Sequence, residues 1–255
     1  MGQGEWNYAS LTTSLTKQYN SILTMKTLLK KCLQKSFGIL GLQISRKRPE
    51  PKYWGTGKLT PLEENSMDIY DRFYGDREAI EAYYAGDRME FYREVVAQLK
   101  AGGVNPDGKS VLDVGCGVGY LLREISQSFS PSSLSGSDFS QEAMVASREK
   151  FPGMTFFQHD ICQPLAQKYD IIFCTEVLEH LLNPWEATHH LANALLPGGT
   201  LVLTVPEGRK DHSNEHINFW SPESWKAFLN RECSGAKSID TRVIGGVFNF
   251  AVVKY

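Results

Sequence analysis

The chain has 255 residues, 42% of them hydrophobic and 22% charged, with a formal net charge of −2. That composition suits one globular domain with a real core plus an extension, and no run approaches the ~20 apolar residues of a membrane span. Five cysteines, Cys32, Cys116, Cys162, Cys174 and Cys233, lie without CxxC spacing; that argues against a disulfide framework and for reduced thiols in a cytosolic compartment.

Residues 1–50 read as a basic extension. Lys17, Lys26, Lys30, Lys31, Lys35, Arg46, Lys47 and Arg48 share residues 6–49 with no acid. Against a net charge of −2, those eight cations leave the other residues with −10. An acidic body argues against a nucleic-acid substrate, because phosphate contacts dominate such affinity. Ile22, Met25, Leu29, Leu33 and Leu40 recur at helical spacing, with Lys26 close to that stripe. A helix docked on its own domain, or a partly disordered tail, is the plainest reading. A helix lying on a membrane surface through residues 17–48 and a transit peptide are the others. Arg46 to Pro51 looks like a linker, so the domain proper is expected to begin at residue 51.

Met67 to Leu99 is rich in Tyr, Phe, Asp and Arg and reads as two helices, the second from Met89 to Leu99. Ala101-Gly102-Gly103 ends it. Val111-Leu112-Asp113-Val114 is then a short apolar run, too short for a helix and fit for a buried parallel strand. Gly115-Cys116-Gly117-Val118-Gly119 follows. Its glycines make a sharp exit and let a ligand lie on the backbone. A helix starting near Val118 would aim free N–H groups at that ligand. The spacing is Gly-x-Gly-x-Gly, not that of dinucleotide sites, and the Lys-Ser/Thr of a P-loop is missing. Cys116 reads as a small packing residue.

Leu134 to Asp138 is the second strand. Asp138 ends it, about 20 residues past the glycines, where a carboxylate is placed to take two ribose hydroxyls. Ser140 can cap the next helix by itself. Met154 to His159 is the third strand, followed by Asp160-Ile161. Tyr169 to Cys174 is the fourth, followed by Thr175-Glu176-Val177-Leu178-Glu179-His180-Leu181. Leu195-Leu196-Pro197-Gly198-Gly199 reads as the close of a helix before a fifth strand, Thr200 to Val205. A polar loop runs to Phe219, and Ser221 and Pro222 open a helix through Leu229. Ser238 to Ile244 and Phe248 to Lys254 form a final hairpin around Gly245-Gly246.

This ordered set, closest from about Ser110 to Pro206, resembles the class I S-adenosylmethionine (SAM) methyltransferases, in which Asp-x-Gly-x-Gly-x-Gly is the usual loop. The resemblance implies an α/β fold: a Rossmann-like seven-stranded sheet, mostly parallel with the last strand antiparallel, helices on both faces and an N-terminal helical extension. Residues 51–104 would be a helical cap and 105–255 the Rossmann-like core. It implies SAM as cofactor, held by Asp113, Gly115, Gly117, Gly119, Asp138, Phe139, Asp160, Ile161, Thr175 and Glu176. In the family the acid at Asp160 and the next N–H lie by the adenine amino group; an ordinary turn aspartate is the other reading. Pre-sheet helices in the family cover the cofactor and shape the acceptor pocket, which makes Tyr70, Tyr74, Tyr83, Tyr84 and Arg88 candidates for its wall.

Glu176 to His180, with the later run from His216 to Glu223, resembles the ubiquinone-biosynthesis O-methyltransferases. The same Glu-x-x-Glu-His and later His recur in small-RNA 2′-O-methyltransferases and in methyltransferases of sugars, surface glycans and secondary metabolites. The implied reaction is O-methylation of a hydroxyl on a small molecule or glycan precursor. N- or carboxyl-methylation of a small metabolite is an alternative, and a non-catalytic SAM-binding or interaction module is another. His180 is the expected general base, unless it only packs or caps. Glu176, Glu179, His180 and His216 are candidate ligands for a divalent metal such as Mg²⁺, since positions three and four apart on a helix share a face. Otherwise Glu176 holds the cofactor and Glu179 is a solvated acid.

Deleting residues 1–50 should leave a domain that folds and binds SAM. Circular dichroism and calorimetry on the truncated chain check this, and lost binding or aggregation would place the segment inside the core. Sedimentation of only the full chain with anionic vesicles would bring the membrane-surface reading forward.

Overall fold

The computed structural model describes residues 60–255; the basic extension, its linker and every reading attached to residues 17–48 lie outside them. Among the described residues four helices precede the sheet: α1 (Pro61–Glu64), α2 (Met67–Tyr74), α3 (Arg77–Tyr84) and α4 (Asp87–Ala101). The sequence reading expected two helices over Met67 to Leu99, and three form. Asp76 is the reason for the extra break: its side chain accepts the Ala79 N–H and caps α3. Gly86, at φ 69°, then re-aims the chain into α4.

The remaining elements are β1 (Ser110–Val114), α5 (Tyr120–Ser128), β2 (Ser133–Asp138), α6 (Gln141–Lys150), β3 (Thr155–Gln158), β4 (Tyr169–Thr175), a 3₁₀ turn (Leu178–His180), α7 (Pro184–Asn193), β5 (Leu195–Pro206), α8 (Pro222–Glu232), β6 (Ser238–Ile244) and β7 (Phe248–Lys254). The strands form one sheet in the order β3-β2-β1-β4-β5-β7-β6. Pairs from β3 to β5 are parallel, and β7 runs antiparallel to both neighbours. This is the Rossmann-like methyltransferase sheet that the sequence implied.

Side chains alternate across the sheet with the period of two that strands impose. Val111, Ile171, Phe173 and Val202 join one core with α4, α5 and α6. Leu112, Val114, Ile172, Cys174, Leu201 and Leu203 join the other with α7 and α8. Both faces are therefore covered, as a parallel sheet requires.

The start of β5 departs from the sequence reading. Leu195 to Gly199 belongs to β5 rather than to a helix end: Tyr169 pairs with Leu195 and Ile171 with Thr200, so residues 196–199 bulge from the ladder. Among the described residues no helix is long and apolar enough to cross a membrane.

Trp225 of α8 is 1% exposed and stacks on Phe228 with ring centroids 5.6 Å apart. Trp225→Ala should cost about 3–5 kcal/mol of stability through lost burial and the cavity left behind. Urea unfolding of both forms measures it, and a loss under about 1 kcal/mol would mean that the site collapses around the cavity.

Candidate active site

The chain leaves β1 through Gly115, Gly117 and Gly119, at φ 73°, 51° and 88°. These left-handed conformations turn successive N–H groups toward the end of β2. Gly115 and Cys116 both donate to the Ser137 carbonyl, at 2.7 and 3.0 Å. Gly117 N–H donates to Asp138 Oδ2 at 3.0 Å, and Ser140 N–H to Asp138 Oδ1 at 3.0 Å. Space matters as well as φ. A Cβ on Gly117 would collide with the Tyr84 hydroxyl, and one on Gly115 with a Val177 methyl.

Asp138 is 5% exposed. Burial pushes its carboxyl up to about 6, against the backbone N–H groups of Ser140, Gly117 and Phe139, which hold it down. An ionised carboxylate offers roughly four acceptor positions; the Gly117 and Ser140 N–H groups fill two of them, which leaves acceptor capacity for a ribose hydroxyl. Ser140 caps α6 by accepting the Ala143 N–H and itself donates to Asp71 Oδ1 of α2 at 2.5 Å. Asp113 lies beneath the loop, 2% exposed, with Oδ1 buried and without a hydrogen-bond partner among the described residues. Burial, and then the charge of Asp138, push its carboxyl well above the usual range.

The cap helices close on this loop. Val118 N–H, expected to face a ligand, donates instead to the Tyr84 hydroxyl at 3.3 Å. Helix α5 starts at Tyr120, two residues later than expected. Phe139 sits edge-on to Tyr70, centroids 5.1 Å apart. Thr175 ends β4, buried beside the loop. Asp160 is exposed and its Oδ1 accepts the Cys162 N–H at 2.9 Å, while Ile161 is buried. The structure ties that acid to its own turn, and the strand before it reaches the site through His159 N–H, which donates to the Asp138 carbonyl.

Beyond β4 the structure corrects the helical picture. Glu176 has φ 56°, a left-handed value for a non-glycine residue, and only Leu178 to His180 form a turn of 3₁₀ helix. Glu176, Glu179 and His180 therefore share no helical face. Glu176 Oε1 accepts from Thr204 Oγ1 at 2.9 Å; burial pushes its carboxyl up, and the Arg88 charge opposes that.

The group that does come together is Glu179, His180 and His216, each offering a ligand atom within 4.8 Å of the others. The Glu179 carbonyl takes the N–H groups of Ile217 and Asn218 at 2.8 and 3.0 Å, and Asn218 Nδ2 donates to the Leu181 carbonyl at 2.6 Å. These bonds bring the loop after β5 to the turn. The His180 and His216 ring centroids are 4.6 Å apart, and Asp211 Oδ2 lies 2.5 Å from His216 Nδ1.

Glu179 is 1% exposed and, among the described residues, neither of its carboxyl oxygens has a hydrogen-bond partner; His180 Nδ1 is likewise buried and without one. Burial and the Glu176 charge push the Glu179 carboxyl well up. Burial, then His216, push His180 down to about 3. A neutral imidazole of that pKa is a ready ligand but a weaker base than one poised near neutrality. Tyr70 spans the two halves: its ring is 5.1 Å from Phe139 and 6.4 Å from His180. The sequence reading missed Asp211, which no motif spacing marks.

The chain matches the family profile described as a methyltransferase domain over residues 84–232. It belongs to that family. It is 27% identical over 130 residues to trans-aconitate 2-methyltransferase of Variovorax paradoxus, covering 50% of this chain and 49% of that protein. With the ubiquinone biosynthesis O-methyltransferase of Photorhabdus laumondii it shares 33% identity over 105 residues, 38% of this chain and 43% of that one. The chain thus spans about half the length of the curated relatives it matches. Among solved structures, phosphoethanolamine N-methyltransferase 2 of Haemonchus contortus with SAM aligns at TM-score 0.61 and 16% identity, over 74% of this chain and 60% of that one. Magnesium protoporphyrin IX methyltransferase of Synechocystis with bound S-adenosylhomocysteine (SAH) aligns at 0.53 and 22%, over 73% and 93%. At such identities the structural likeness shows the fold.

Asp138→Asn should weaken SAH binding by about 1.5–3 kcal/mol, the range for hydrogen bonds to a charged group. The carboxyl titrates near 6 and its ionised form is the one with acceptors to spare, so wild-type affinity should fall as pH drops through about 6. Calorimetry at several pH values checks both; a wild-type affinity flat through that range would remove the carboxylate from the ribose.

Proposed function

We propose that this chain transfers the methyl group of SAM to a hydroxyl oxygen of a small molecule or glycan precursor. The observation that carries this reading is the junction at Tyr70: its ring touches Phe139, beside Asp138 and the glycine loop, and also faces His180 of the Glu179–His180–His216 cluster. A methyl donor seated on Asp138 and an acceptor seated on the cluster would then meet at that ring. Bound SAM supplies the electrophilic methyl group. Asp113, Gly115, Gly117, Gly119 and Asp138 bind the donor, with Ile161, Thr175 and Glu176 beside them, and Tyr70 and Phe139 keep water from the gap. Much of the acceleration comes from holding the reacting groups in line in a dry site.

Glu179, His180 and His216 fit a first-row divalent cation such as Mn²⁺ better than Mg²⁺: a carboxylate with two orphaned oxygens and two imidazoles form a mixed O/N donor set. An unpaired buried carboxylate is costly, and a cation offsets that cost. When bound, the cation supplies Lewis acidity that lowers the pKa of an acceptor hydroxyl. Asp211 orients His216 in the manner of a carboxylate behind a metal-bound imidazole. Glu176, held by Thr204, stays on the donor side.

Incubation with methyl-labelled SAM and a metabolite extract, followed by mass identification of the product, tests the reading. An O-methylated product supports it; an N-methylated or methyl-ester product would move the acceptor class. For the cation, Asp211→Asn should weaken Mn²⁺ binding about 10–100-fold by calorimetry. Full activity after chelation and dialysis would leave the cluster to act without metal.

A further inference from the structure

Arg88 stands outside every bond described so far. It occupies the second position of α4, in the first helical turn, where the positive end of the helix dipole disfavours a cation. Its guanidinium lies over the Tyr83 ring, 4.7 Å from the centroid, and 5.6 Å from that of Phe91. The two rings fix its position. Its charge is felt inside the site: it holds down the carboxyls of Glu176 and Glu179 and bears on His180. Yet among the described residues it has no hydrogen-bond acceptor and no carboxylate at ion-pair distance. The residue as a whole is half-buried.

An arginine present only to neutralise Glu176 and Glu179 would close on one of them, because a guanidinium fork matches a carboxylate in two parallel bonds. This one is held back by its aromatic seat. A fork that is positioned, charged, unpaired and next to a reaction centre is built for a planar or tetrahedral anion from outside the chain.

We infer that Arg88 binds an anionic group, carboxylate or phosphate, on the methyl acceptor. The inference rests on the hydroxyl-methylation reading and adds to it the charge of the acceptor. The anion sits on Arg88 while the hydroxyl sits at the Glu179–His180–His216 cluster, so the substrate is anchored at two points. Specificity follows: a neutral analogue would leave the guanidinium desolvated and unpaired, and buried polar groups without partners discriminate strongly.

The test uses the full chain with methyl-labelled SAM and a metabolite extract split by anion exchange. Label is expected in the anionic fraction. Label in the neutral fraction alone would overturn the Arg88 inference and leave hydroxyl methylation standing, whereas no label in any fraction would contradict both. Alkaline phosphatase treatment of the extract beforehand separates the two anions: lost label marks a phosphate and retained label a carboxylate. Arg88→Gln should raise KM for the anionic acceptor about ten- to a hundred-fold, with SAH affinity unchanged. Malonate and inorganic phosphate, used as probes, should raise the Tm of the SAH-bound wild type and leave that of Arg88→Gln where it was. An unchanged KM, or equal thermal protection of both forms, would overturn the inference.

Discussion

The site depends on three consecutive N–H groups pinned to the end of one strand. Gly115 and Cys116 donate to the Ser137 carbonyl and Gly117 to the Asp138 carboxylate. Satisfying those donors takes left-handed backbone at Gly115 and Gly117, which β-carbons there would oppose both by strain and by collision. The bonds lock β1 to β2 at their C-terminal ends and hold Asp138 in a fixed orientation. Because Val177 packs directly on Gly115, the same loop also sets where the Glu179–His180 turn begins. The hydroxyls of Tyr74 and Tyr84 settle over Gly117, so the cap helices take their position from the loop too.

Charge is the second constraint. Asp113, Asp138, Glu176 and Glu179 all have carboxyls pushed up by burial, and Arg88 is the cation whose charge opposes this at the last two. Burying that many acids costs stability unless partners arrive. Asp138 finds part of its compensation in backbone N–H groups, while neither Glu179 oxygen has a hydrogen-bond partner among the described residues. On the proposed reading, ligands would complete this distribution: ribose hydroxyls for Asp138, a cation for Glu179, an anion for Arg88.

Most of the sheet was legible because its strands are short apolar runs between strong punctuation. The hairpin strands Ser238–Ile244 and Phe248–Lys254 fall where Gly245-Gly246 separates them, and Ser221-Pro222 starts α8 as its capping chemistry requires. Legibility failed where one residue overrode the local pattern. Asp76 caps a third helix inside a stretch that reads as only two. Pro197-Gly198-Gly199 reads as the close of a helix yet lies within β5 as a bulge. Glu176 carries a positive φ that no periodicity reveals, and its excursion turns an apparent helical face into two separate roles. The association of Asp211 with His216, and of His216 with Glu179, depends on a loop folding back from β5, which sequence spacing does not encode.

A crystal structure of the protein with SAH and Mn²⁺ tests the account most directly. The account predicts both ribose hydroxyls on the Asp138 carboxylate, the sulfur turned toward Tyr70 and His180, and anomalous density between Glu179, His180 and His216. SAH bound with its ribose away from Asp138, or with its sulfur turned away from the cluster, would contradict it.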